Sequence, residues 1–161
     1  MIMILCACDP DTRTPAFAFF DGMNLVGWKL LEGRITELLP EVSSIVETWS
    51  PELLIIENQY LPTTGNAANR FRSGSQLVAA RAMIMAVFIL SGIDWRLADP
   101  FAWQRTLGGS SLGREQLKIL SMKKASDIAG EPIENHNIAD AINLGYWCAT
   151  DERVRNPRAK R

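Results

Sequence analysis

Three acids in this sequence stand where an acid is costly to place. Asp9 closes the apolar run 2–8, Glu57 closes the apolar run 53–56, and Asp140 interrupts a helical stretch among Ile138, Ala139, Ala141, Ile142 and Leu144. A carboxylate taken out of water without a partner carries a heavy desolvation cost, so each needs something cationic. No Lys or Arg lies within four residues of Asp140 along the chain. A hard cation with oxygen ligands, Mg²⁺ or Mn²⁺, is the fitting counter-charge. Two such ions roughly 3.5 to 4 Å apart activate a water and stabilise the leaving oxygen of a phosphodiester. Singly, the acids also have ordinary uses: a turn cap for Asp9, a surface acid for Glu57, a long-range salt bridge for Asp140.

The elements that must position these groups follow from periodicity. Residues 2–8 read as a buried strand stopped by Asp9-Pro10-Asp11; residues 15–20 and 24–30 read as two further strands joined through Asp21-Gly22. Apolar residues recur at helical spacing over 34–49, with Pro40 expected to kink or restart that helix. A short strand at 53–56 runs through Glu57 into a polar loop, 61–72, whose length predicts mobility and whose Arg70 and Arg72 are candidate DNA contacts. Ser73-Gly74-Ser75-Gln76 looks like the cap of a long helix ending at Leu90, followed by a fifth strand at 93–98. Asp99-Pro100 starts a helix, 108–113 is a Gly/Ser loop, and helices follow at 114–129 and 136–148. This order predicts an α/β fold with a five-stranded mixed sheet flanked by helices. If the first and fourth strands are neighbours, Asp9 and Glu57 converge at one edge.

Composition narrows the class. The 161 residues suit one domain, 1–150, with a basic tail, 151–161, that holds Arg153, Arg155, Arg158, Lys160 and Arg161 and is a candidate phosphate contact. A net charge of −1 argues mildly against a protein coated in nucleic acid. Cys6, Cys8 and Cys148 match no zinc-finger spacing, and Cys6 and Cys8 lie too close along one strand for good disulfide geometry, so free thiols and a reducing, cytoplasmic setting are expected. The apolar run 77–90 is interrupted by Arg81 and falls short of the roughly 20 residues of a bilayer span, so no membrane segment is expected. It reads as a core helix and a candidate dimer interface.

Cys8-Asp9-Pro10, Ile56-Glu57-Asn58-Gln59-Tyr60 and Ala139-Asp140-Ala141, in this order and over nearly the whole chain, resemble the RuvC-type Holliday-junction resolvases and their phage-borne relatives. The resemblance implies an RNase H-like fold, a homodimer acting on a four-way junction or other branched DNA, and Mg²⁺ bound by Asp9, Glu57 and Asp140 in a bacterial cytoplasm. Tyr60 then corresponds to an aromatic that stacks on a base near the crossover. Such relatives carry a fourth ligand, an acid or a His, where this chain has Asn137; His136, four residues before Asp140, is the alternative, as a ligand or proton carrier. Arg114 matches a basic residue beside the scissile phosphate, with Arg105 and Lys118 as weaker matches. Two other uses of such a chain stay open. A nucleotide-binding ATPase or kinase is one, although Asp9-Pro10-Asp11-Thr12 has no glycine; a non-catalytic junction-binding protein with a lost ligand at Asn137 is the other.

Overall fold

Alternation along the strands decides which side chains meet which helices. In the computed structural model, which describes residues 3–58, 66–108, 112–151 and 154, the strands are β1 (Ile4–Asp9), β2 (Ala16–Asp21), β3 (Asn24–Leu30), β4 (Leu53–Glu57) and β5 (Asp94–Ala98). They form one sheet in the order β3-β2-β1-β4-β5. The first three make an antiparallel meander, and β4 lies parallel to both β1 and β5. The helices are α1 (Ile35–Trp49), α2 (Ala67–Leu90), α3 (Pro100–Gln104), α4 (Arg114–Ala129) and α5 (His136–Thr150), with a 3-10 turn, Arg105–Leu107, after α3. The expected five-stranded mixed sheet flanked by helices is the observed architecture.

One face of the sheet presents Cys6, Cys8, Phe17, Phe19, Leu54 and Ile56, packed on Val42 and Ile45 of α1 and Ile84 and Phe88 of α2. Phe19 stacks on Trp49 with ring centroids 4.1 Å apart. The other face presents Leu5, Ala7, Ala18, Phe20, Leu53 and Ile55 to Trp103, Ala125, Ile142 and Leu144. The period of two predicted the shared face of Cys6 and Cys8, and all three cysteines are buried thiols outside any disulfide. On the α5 side the approach is unusually close. A Cβ on Gly145 would stand 2.3 Å from the Phe20 ring and 3.0 Å from the Ala7 Cβ, so only glycine lets α5 lie down on β1 and β2.

Three expectations need correction. The helix expected from Ser73 starts at Ala67, capped by the Asn66 side chain, which accepts from the Ala68 N–H at 2.9 Å. Arg70 and Arg72 therefore lie on the first turns of α2 rather than in a loop; the expected mobility of 61–72 concerns, for 61–65, positions outside the described residues. Pro40 does not restart α1, which runs unbroken past it with Pro40 exposed. Finally, α2 is less a core helix than its composition suggested: only Gly74, Ala80, Ile84 and Phe88 are buried. By length and composition it is the one described helix that could cross a membrane, where the shorter run 77–90 led to none being expected. Yet its buried side is packed on the sheet and α1, which lipid on all sides would not permit. Of the tail, only Asp151 and Val154 lie within the described residues, and the Val154 carbonyl accepts a hydrogen bond from Arg96.

Candidate functional site

The parallel pairing of β1 and β4 aligns Leu5 with Leu53, Ala7 with Ile55 and Cys8 with Ile56. One step further along the same register, Asp9 stands beside Glu57. By alternation both carboxylates share the face of Ala7 and Ile55, the face that α5 covers. Asp140 lies near the start of α5, and the three groups repel one another: Glu57 and Asp140 both act on Asp9, and Asp140 acts on Glu57. Burial is the larger cause for all three. It raises Asp9 well above the usual carboxylate range, raises Glu57 from 4.5 to about 7, and raises Asp140.

Neutral donors and distant cations temper this. The Trp103 indole N–H donates to Glu57 Oε2 at 2.8 Å, holding the Glu57 value down. The Ser121 hydroxyl donates to Asp140 Oδ1, and the charges of His136 and Lys118 lower Asp140 further. None of the three acids takes part in an ion pair; among the described residues the one such contact is Lys118 with Glu115, at 3.6 Å. Nor, among those residues, are three potential ligands already gathered at ligating distance. The donor set nonetheless fits an oxygen-seeking divalent cation: three hard carboxylates raised in pKa chiefly by burial, with neutral hydrogen bonds to one oxygen each of Glu57 and Asp140.

The other expected residues distribute as follows. His136 opens α5, exposed, and acts on Asp140 by charge. Asn137 is buried, and its amide nitrogen donates to the Thr14 hydroxyl at 2.9 Å and the Thr14 carbonyl at 3.1 Å; only its amide oxygen is left to meet a cation. Thr14 is in turn tied to Asp11, whose Oδ1 accepts from the Thr14 N–H at 2.9 Å, so the turn after Asp9 anchors the start of α5. Arg114 and Arg105 are exposed at the starts of α4 and the 3-10 turn. Tyr60 lies outside the described residues.

Sequence reading missed four groups. Trp103 holds Glu57 across 46 residues, and Ser121 and Asn143 meet beneath Asp140. Arg81, noted only as a break in an apolar run, reaches Asn58 next to Glu57, while the Asn58 N–H donates to the Ala98 carbonyl at 2.8 Å. The segment leaving Glu57 is thus clamped from β5 and from α2. A polar residue inside an apolar helix is a signal for Arg81; nothing local marks the others.

No family model and no curated protein matches the chain. Solved structures do. Thermus thermophilus RuvC in complex with a Holliday junction substrate superposes with a TM-score of 0.69 at 13% identity, over 89% of this chain and 90% of that one. The yeast mitochondrial Holliday junction resolvase Ydc2 follows with a TM-score of 0.58 at 12% identity, over 96% and 81%. The nuclease domain of the large terminase subunit gp2 of the bacterial virus Sf6 gives 0.50 at 11% identity, over 89% and 87%. The fold is RNase H-like, the fold of these nucleases.

Proposed function

We propose that this chain is a divalent-metal-dependent endonuclease that cuts branched DNA, with the four-way junction as its main substrate and a homodimer as its working form. The alignment of Asp9 with Glu57 on adjacent parallel strands, beneath Asp140 and without an ion-pair partner for any of them among the described residues, carries this reading. Asp9, Glu57 and Asp140 would hold Mg²⁺ or Mn²⁺, which when bound activates the attacking water and stabilises the leaving oxygen.

The chain's own groups would do the rest. Trp103 holds Glu57 in place, and Arg81 holds Asn58, the residue after Glu57. Tyr60 stacks on an unpaired base, a contact of about 1 to 3 kcal/mol. His136 is the better fourth group, because an imidazole ligates or carries a proton while the Asn137 oxygen is a weaker ligand. Arg105, Arg114 and Lys118 offer fixed positive charge to the phosphate, and Arg70 and Arg72 extend that charge along the start of α2.

The dimer rests on α2. Phe71, Val78 and Ile89 are 71%, 38% and 46% exposed, and their spacing of seven and eleven residues places them on one outward stripe. Such a stripe can pack on its own copy about a two-fold axis, which would present two sites to two strands. The buried cysteine thiols, none in a disulfide, suit a reducing cytoplasm.

Cleavage of a synthetic four-way junction with Mg²⁺, by the chain and by Asp9→Asn, tests the reading. The expected result is paired nicks near the crossover, absent in Asp9→Asn and without the metal. Binding without cutting would leave a junction-binding protein. Equal cutting of linear duplex would instead favour a terminase-like nuclease, the reading that the likeness to gp2 supports. Sedimentation of the free chain as a dimer, lost in Val78→Asp, is expected; a monomer that floats with lipid vesicles would assign the stripe to a membrane.

A further inference from the structure

Beneath the third carboxylate lies a buried polar pair that packing alone does not call for. Asn143 is fully buried, Ser121 nearly so, and they meet where α4 and α5 cross in otherwise apolar surroundings. Asn143 Nδ2 lies 2.9 Å from both the Ser121 carbonyl and the Ser121 hydroxyl oxygen. Because a backbone carbonyl only accepts, the amide must present its nitrogen there. The hydroxyl therefore accepts from Asn143, and its single proton is directed to Asp140 Oδ1. Asn143 sits three residues after Asp140 on α5, so one helix face carries both the acid and the group that orients its donor.

This arrangement has a cost in stability. Asn143 Oδ1 is buried with no hydrogen-bond partner among the described residues, which in a folded interior is a net loss of stability. A leucine of similar size would fill the position without that penalty. A polar group kept at a loss beside a carboxylate points to a task for it.

We propose that Ser121 and Asn143 are positioning residues for the metal centre: Asn143 orients the Ser121 hydroxyl, and the hydroxyl pins one oxygen of Asp140 so that the other faces the cation. This rests on the metal reading given above. Removing such an outer hydrogen bond typically weakens metal binding about 10- to 100-fold.

Titration calorimetry of the full chain with Mn²⁺ alone, beside thermal melts, tests it. Ser121→Ala and Asn143→Leu are each expected to weaken Mn²⁺ binding about 10- to 100-fold. Asn143→Leu should do so with an unchanged or higher Tm, since it removes the orphaned oxygen. The double variant should be no worse than Ser121→Ala, because Asn143 acts through the hydroxyl. Mn²⁺ affinities equal to wild type in both single variants, with only Tm changed, would overturn the proposal while Asp140→Asn still loses the ion. Wild type and Asp140→Asn binding Mn²⁺ alike, or not at all, would instead sink the metal reading, and the positioning role with it.

Discussion

The two faces of the sheet are built from the same strands and differ by one residue of register. Cys6, Cys8, Phe17, Phe19, Leu54 and Ile56 point to α1 and α2 and meet only apolar groups, with Phe19 stacked on Trp49. Their neighbours Ala7 and Ile55 point to α5 and are followed, on that same face, by Asp9 and Glu57. Among the described residues, the polar residues buried outright all lie on this side: Ser121, Asn137 and Asn143. One face supplies cohesion, and the other accepts repulsion and an orphaned acceptor, Asn143 Oδ1, for the sake of a site. Such local conflict concentrated in one place is what functional sites are expected to show.

If that division holds, the largest stability change comes from the apolar face. Phe19→Ala removes a fully buried ring and its stacking on Trp49, at a cost of about 3 to 5 kcal/mol. Chemical denaturation should register that loss, while cleavage per folded molecule stays near wild type. A large fall in specific activity would mean that the faces are not separable.

Gly145→Ala probes the seam between them. The added methyl meets the Phe20 ring, which is fully buried and has nowhere to turn. Overpacking of this kind costs about 1 to 3 kcal/mol. Because α5 also carries Asp140, the methyl should lift the acid from Asp9 and Glu57, so Mn²⁺ affinity is expected to fall as well. Lost stability with intact metal binding would show that α5 tolerates displacement.

What the sequence disclosed follows the same division. Period-two alternation gave away the strands, the common face of the two cysteines and the strand-end acids, because each of those signals is local. Trp103, Ser121 and Asn143 were illegible because their partners lie 46, 19 and 22 residues away. The start of α2 was misread since Ser73-Gly74-Ser75 imitates a cap, while Asn66 is the residue that caps. Pro40 does not end α1 because it lies on the exposed side, and the packing of Leu38, Val42 and Ile45 carries the helix past it.

The smallest expected effect is the most direct measure of the conflict on the α5 face. Folding raises Glu57 from 4.5 to about 7, through burial first and the neighbouring acids after it. The folded chain thus binds the Glu57 proton more tightly than the unfolded chain does. Its stabilising contribution is complete below about pH 4.5 and is lost as pH rises to about 7, the opposite of a salt-bridged acid. Solvent reaches the edge of the site, so the change is discounted to about 1 kcal/mol. In metal-free buffer, the Tm of wild type should therefore fall relative to Glu57→Gln across that interval, by about 2 to 4 °C. Mg²⁺ should cancel the fall, because a cation favours the ionised carboxylates that proton binding otherwise suppresses. Parallel melting curves for the two proteins at every pH would mean that Glu57 titrates as an ordinary acid, and that the strain assigned to this face is not stored there.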